Sequence, residues 1–377
     1  MTDFDPARSL IARVRRTHSQ VPEMIRGAKV PYHRRAEMSI PAFKLRGDGD
    51  PEVEGRAQSL RMMGKAAIFP IDFFFYDLED ACPDNPDLKP MARSFLIEAF
   101  ETLDFGSRVR AFRPNNVRTQ TFEDDMVEVV GRVGDRLDAI VLPKTESVDE
   151  VADVIEVVKT VQRCAGRDRT IPLEVLIESP RAFVDAERIA ALDGVSALVF
   201  GAWDFARTIG ALVDPDTWLE DQGAARQLLP IIAAAYGKDA VDAVTATLPL
   251  RSADEPDGTR YQAAIELAAR DAQNARRLGY AAKWILHPAQ IEPIQGAWTP
   301  TRDVALTALN LTAVYARAAL AGSGAEVHGG ALADKAVVGT EWWHVLAGIR
   351  AGVLTDDDIA ATGLGFDVLE RTVRTRD

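Results

Sequence analysis

Positive charge is in short supply in this chain. Its 44 Lys and Arg stand against 57 Asp and Glu, a formal net charge of −13 over 377 residues. A phosphate backbone needs a basic surface, so a nucleic-acid partner is not expected, although a local Arg/Lys cluster could still hold a small anion. Cysteine is scarcer still. Cys82 and Cys164 form no CxxC or metal-ligand spacing, which argues against a disulfide framework and fits a reducing compartment. No apolar run approaches the ~20 residues needed to cross a bilayer, and MTDFDPARSL carries no signal-peptide core. The expectation is a cytoplasmic protein with no membrane partner. GxSxG and P-loop patterns, short repeats and low-complexity tracts are missing, and the five histidines show no paired ligand spacing. Among them, His287 reads as a hydrogen-bonded residue at a strand end rather than a base.

What is present is a large apolar fraction, 47% of the residues, in a length that suits one big barrel with an appendage. The stretch Pro172–Ala206 is the clearest unit. Leu173–Ile177 and Val195–Phe200 have the length and β-branched content of buried strands, and Pro180 to Leu192 reads as the helix between them. Strand, helix and strand make a βαβ unit, so the two strands are expected to be parallel neighbours. Glu178 follows the first and Asp204 the second, placing two carboxylates side by side at one rim. Oxygen donors on adjacent rigid strand ends suit a hard divalent cation, magnesium first and manganese as the alternative.

The same alternation runs along the chain. Further strands are expected at Glu37–Ala42, Ile71–Leu78, Arg108–Arg113, Leu137–Leu142, Ala240–Leu248 and Trp284–Leu286, with Phe73, Phe74 and Phe75 in the core. Helices are expected at Asp124–Arg132, Val148–Cys164 and Tyr261–Leu278, and a mostly helical region at 211–236 is broken by Pro215 and Pro230. About eight strand–helix repeats point to an α/β fold of the (β/α)8 TIM-barrel class, with an open doubly wound sheet as the alternative. The expected division is an N-terminal helical segment at 1–29, including a basic stretch Ala7–Thr17, a barrel at 30–298, and a helical extension with a lid at 299–377. Within that extension a helix is expected at Arg302–Leu320 and another from Thr340, where Trp342 and Trp343 read as packing residues.

In such a barrel the chemistry sits at the C-terminal strand ends. Collecting them gives Lys44, Glu79 and Asp80, Arg113 and Asn115, Lys144, Glu178, Asp204 and His287. Glu79 and Asp80 suit hydrogen bonds to metal-bound waters, and Arg113 suits a substrate carboxylate or a developing enolate oxygen.

The segments RAEMSIPA (35–42), DLEDACP (77–83) with KPMAR (89–93), RPNNVRT (113–119), VLPKTES (141–147), VLIES (175–179), FGAWDFA (200–206) and KWILHPAQI (283–291) resemble the citrate lyase β-subunit superfamily, malyl-CoA lyases most closely. The resemblance implies a magnesium-dependent carbon–carbon lyase with Glu178 and Asp204 as ligands and Arg113 on the substrate. It implies coenzyme A contacts at Arg35, Lys44 and Arg46, with Asn115 and Lys144 on the substrate side. GGALAD implies Asp334 as an acid/base on a lid, often lent by a neighbouring subunit, and hence a homo-oligomer, trimer or hexamer. The expected partners are a coenzyme A thioester and a 2-oxoacid. The alternatives are malate synthase-like condensation with thioester hydrolysis, a coenzyme A-independent 2-oxoacid aldolase using a Lys144 Schiff base, and a non-catalytic barrel subunit.

Overall fold

The computed structural model describes residues 34–211, 223–252, 254–255 and 257–374. The expected 1–29 segment, its Ala7–Thr17 stretch and Pro215 lie outside them. Eight strands close into a barrel: β1 (Ala36–Pro41), β2 (Phe73–Asp77), β3 (Val109–Arg113), β4 (Ala139–Leu142), β5 (Leu173–Ile177), β6 (Val195–Phe200), β7 (Asp239–Asp242) and β8 (Ala282–Ile285). Every neighbouring pair is parallel, including the closing pair of β1 and β8. Residues alternate between the two faces of each strand. Phe73, Phe75, Val141, Leu176, Val199 and Val241 fill the barrel interior, while Phe74, Tyr76 and Leu198 pack outward under the helices.

The helices around it include α1 (Arg56–Met63), α2 (Leu88–Thr102), α3 (Val148–Cys164), α4 (Pro180–Val184), α5 (Ala186–Ala190), α6 (Ala202–Ile209), α7 (Gly223–Ala235), α8 (Thr259–Leu278) and α9 (Ile291–Trp298). A helical run over 121–133 covers the expected Asp124–Arg132. The helix expected from Pro180 to Leu192 is two short helices that meet at Asp185.

Pro230 does not break its helix. It sits buried inside α7, and the carbonyl that its missing N–H would have served, Arg226 O, accepts a bond from the Tyr280 hydroxyl at 2.7 Å. The seventh strand is shorter than Ala240–Leu248. Beyond Asp242 the chain is held by side chains instead of a ladder: the Thr245 hydroxyl donates to Asp271 at 2.7 Å, and Gln290 donates to Thr245 O at 3.1 Å.

After α9 come α10 (Arg302–Leu320), a hairpin of β9 (Ala325–His328) and β10 (Ala331–Asp334), α11 (Lys335–Arg350), α12 (Asp356–Ala361) and α13 (Phe366–Arg374). Helix α11 starts five residues before Thr340 because Asp334 caps it, accepting from the Val337 N–H at 2.8 Å. This region carries its own apolar cluster, in which Trp342 is buried and packs on Phe366 with ring centroids 5.4 Å apart. No described helix is long and apolar enough to cross a membrane.

Between β7, β8 and their helices, Arg226 forks onto Asp242 at 3.0 and 2.7 Å and reaches Asp271 at 2.8 Å. Lys283 Nζ lies 2.8 Å from each of the same two carboxylates. Two cations and two anions are buried together, so removing one strands the rest. Arg226→Met is expected to cost about 3–5 kcal/mol in urea unfolding; a loss below about 1 kcal/mol would contradict the balance described.

Candidate active site

The C-terminal rim of the barrel gathers charge because five successive connections turn there. Strand β4 ends at Leu142, and Lys144 follows in the left-handed region at φ 51. A non-glycine residue there costs about 1–3 kcal/mol, so its surroundings must hold it. They do: the Lys144 N–H donates to Glu178 Oε1 at 2.5 Å, and the Lys144 carbonyl accepts from Arg118 Nη1 at 2.9 Å. The side chain then lies over the mouth. Its Nζ is 2.7 Å from Asp204 Oδ2, 3.1 Å from Asp80 Oδ2, and 3.8 Å from both Glu178 Oε2 and Glu79 Oε1. One ammonium faces four carboxylates.

Glu178 and Asp204 reach this point as the strand pairing requires. Ile177 stands opposite Phe200, and the Gly201 N–H donates to Ile177 O at 3.0 Å. Asp204 lies in the first turn of α6. Gly201 makes room for the acid: a Cβ there would come within 2.3 Å of Glu178 Cβ and 2.9 Å of its Oε2.

Burial pushes the Glu178 carboxyl up to about 7, against the pull of Lys144. Burial raises Glu79 to about 7 as well, with Arg113 opposing and Asp80 reinforcing. Burial works against ionised Asp80 too, but Arg113 and Lys144 prevail and hold it below its ordinary value. Lys144 loses by desolvation and gains more from Glu178 and Asp204, so it stays firmly protonated.

Arg113 ends β3 and is gripped by Asp77, the last residue of β2, through Nε at 2.8 Å and Nη2 at 2.5 Å. Its Nη1 is 3.4 Å from Glu79, and its guanidinium lies 5.8 and 5.7 Å from the Phe75 and Trp284 ring centres. Asp77 also accepts from the Glu79 and Ala81 N–H groups at 2.9 and 3.3 Å, so one buried carboxylate folds the DLED turn and aims Arg113. Sequence reasoning passed over Asp77. The available signal was its place directly opposite Arg113 in the β2–β3 register. Lys89 braces the same turn, donating to Leu78 O at 2.5 Å.

Other expected site residues stand elsewhere. Asn115 is buried, and both its backbone N–H and its Nδ2 are spent on Asp125, at 2.8 and 2.6 Å. Arg35 precedes β1 and therefore sits at the N-terminal end of the barrel, held bidentately by Asp72 at 2.7 Å and by Thr299 at 2.9 Å; it does not reach the mouth. Lys44 and Arg46 follow β1 and belong to the correct end, with their N–H groups fixed by Ser59 and Gln58 at 2.8 and 2.9 Å. His287 Nδ1 accepts from the Ala289 N–H at 3.2 Å, a turn cap. Asp334 caps α11 and does not line the mouth cavity.

That cavity holds about 290 Å³ and is lined by Asp77, Asp80, Arg113, Glu178 and Asp204 beside apolar Trp203 and Leu286. Five carboxylates, with Asp77 on Arg113, stand against Lys144, Arg113 and the Arg207 that pairs with Asp204 at 2.5 Å, so negative charge remains in excess and a cation fits this donor set. Among the described residues no group of three or more His, Cys, Asp or Glu forms a metal cage. Two carboxylates completed by water and substrate oxygens is the magnesium pattern, whereas zinc and calcium draw on more protein ligands.

The sequence matches the HpcH/HpaI aldolase/citrate lyase family over residues 56–264, more than half of the chain. The chain belongs to that family. It is an enzyme of the carbon–carbon lyase, aldolase type. An L-malyl-CoA/beta-methylmalyl-CoA lyase of Cereibacter sphaeroides is 29% identical over 290 residues, covering 73% of this chain and 86% of its own. A (3S)-malyl-CoA thioesterase of the same species is 28% identical, covering 73% and 85%. Among solved structures, a citrate lyase from Burkholderia xenovorans superposes with a TM-score of 0.68 at 23% identity, covering 88% of this chain and 96% of that one. Protein CitE of Mycobacterium tuberculosis, solved with magnesium, acetoacetate and coenzyme A, gives 0.54 at 24% identity, covering 86% and 99%. At those identities the two structures bear on the fold alone.

Gly201→Ala tests the packing of the acid pair. Forcing a methyl group against Glu178 is expected to lower stability by about 1–3 kcal/mol in urea unfolding. An unchanged midpoint would mean that Glu178 yields freely and is not held in place by Gly201.

Proposed function

We propose that this chain is a magnesium-dependent lyase that reversibly cleaves a 3-hydroxyacyl-CoA of the malyl, β-methylmalyl or citramalyl type into an acyl-CoA and a 2-oxoacid. The observation that carries the reading is the convergence of Glu178, Asp204, Glu79 and Asp80 on one point beside a clamped Arg113. Relatives named for malyl-CoA chemistry supply the substrate class.

Glu178 and Asp204 are the residues that would hold magnesium, or manganese in its place. The bound cation supplies a Lewis-acid centre for neighbouring substrate oxygens. Glu79 and Asp80 orient water around the site. Arg113, fixed by Asp77 on one edge, keeps donors for an oxygen that gains charge as the carbon–carbon bond breaks. Lys144 contacts the substrate carboxylate. Its protonated state disfavours the Schiff-base alternative, which needs a free amine. Lys44 and Arg46 take the coenzyme A end, and neither Arg35 nor Asn115 belongs to the site.

Asp334 acts, in this reading, on the mouth of a second copy in a homo-oligomer. The hairpin that carries it exposes Val327 at 68% and Leu332 at 49%, apolar surface that an assembly would cover. The thioesterase relative gives thioester hydrolysis after condensation a specific footing as the second reading.

A panel of malyl-, methylmalyl-, citramalyl- and citryl-CoA, assayed with magnesium for oxoacid and free coenzyme A, tests the proposal. Oxoacid release that EDTA abolishes and magnesium restores is expected. Asp204→Asn is expected to lose more than the 10–100-fold that outer partners of a metal typically cost. Free coenzyme A formed without oxoacid would favour hydrolysis, and no turnover of any thioester would overturn the reading.

A further inference from the structure

The opposite end of the barrel carries a second cavity with the reverse charge. It holds about 190 Å³ between the N-terminal strand ends and α11, and its lining includes Arg35, Lys238, Arg276, Arg350 and Trp343. Arg35 precedes β1 and Lys238 precedes β7, so this site lies a full strand length from the acidic mouth. A cationic hollow in a chain of net charge −13 runs against the average surface.

Its cations are not equally committed. Arg35 is matched by Asp72. Arg276, near the end of α8, makes no ion pair with any described carboxylate; its guanidinium carbon sits 3.5 Å over the Trp343 ring, and burial alone pulls its pKa down. Lys238 is likewise lowered by burial, against an opposing pull from Asp193. Asp239, the carboxylate in the lining, faces Arg34 at 3.6 Å. A guanidinium stacked through its face still has in-plane N–H donors, which match the oxygens of a tetrahedral oxyanion. A half-buried cation such as Arg276, with no carboxylate paired to it among the described residues, is costly, and a bound anion offsets that cost.

We propose that this hollow is a binding site for a phosphate-type oxyanion, held by Arg276 and Lys238 from the barrel side against α11. The volume is below the ~300–1,000 Å³ of drug-sized pockets, so the ligand is inorganic phosphate or the phosphoryl group of a small metabolite. Nothing in the lyase chemistry proposed above uses these residues, and the two proposals stand or fall separately.

Calorimetric titration of the full chain with inorganic phosphate and with glycerol 3-phosphate, at ionic strength fixed with chloride, tests it. Saturable binding at one site per chain is expected, weakened about tenfold or more by Arg276→Gln, the scale of one charge-assisted hydrogen bond. Lys238→Gln, which leaves the Trp343 stack intact, is expected to weaken it as well, so a fold defect in the first variant does not decide the matter. Tighter binding of glycerol 3-phosphate would support the site and assign it to a metabolite phosphoryl group; tighter inorganic phosphate would support it as a free-ion site. No saturable heat, or equal binding by the parent and both variants, would overturn the proposal.

Discussion

An excess of carboxylate over positive charge at one end of the barrel is the constraint on which the site depends. Glu79, Asp80, Glu178 and Asp204 surround a single ammonium, and two of them are pushed up to about 7 because burial is not fully offset. A fold selected for stability alone would disperse such charge, since buried acids without full compensation lower stability. Concentrating it is useful where a cation and an anionic substrate are to be taken up together. The proposed lyase reaction is such a use.

The surrounding structure keeps this arrangement from collapsing. Parallel strands place Glu178 and the start of α6 at the same height, and Gly201 lets them come close. Lys144 accepts a left-handed backbone so that its N–H can tie Glu178. Asp77 fixes both the DLED turn and Arg113, so the acids and the guanidinium are set by one buried residue. These supports sit at rigid strand ends, where a barrel positions side chains well.

Much of this was legible from residues alone. The bounds of β5, β6, α3 and α10 coincide with the apolar runs and periods that announced them, because those segments are packed on the faces that create the pattern. The acid pair followed from strand direction. Arg35 was misplaced although the same rule covers it: a residue before a strand belongs to the other rim. Asn115 and Pro230 failed for a different reason. The partners that decide them lie far along the chain and carry no local signal: Asp125 is 10 residues from Asn115, and Tyr280 is 54 residues from Arg226, whose carbonyl it serves. Asp77 was hidden because one acid in an acidic turn looks like the others until the register with Arg113 is known.

Calorimetric titration of the protein with magnesium near pH 6, in two buffers of different ionisation enthalpy, tests the central claim most directly. Glu178 and Glu79 carry protons there that a cation must displace, so binding of one magnesium per chain should release protons and tighten as the pH rises through about 7. Saturable binding with proton release, lost in Asp204→Asn, is the predicted result. No binding, or binding that Asp204→Asn leaves intact, would contradict the account.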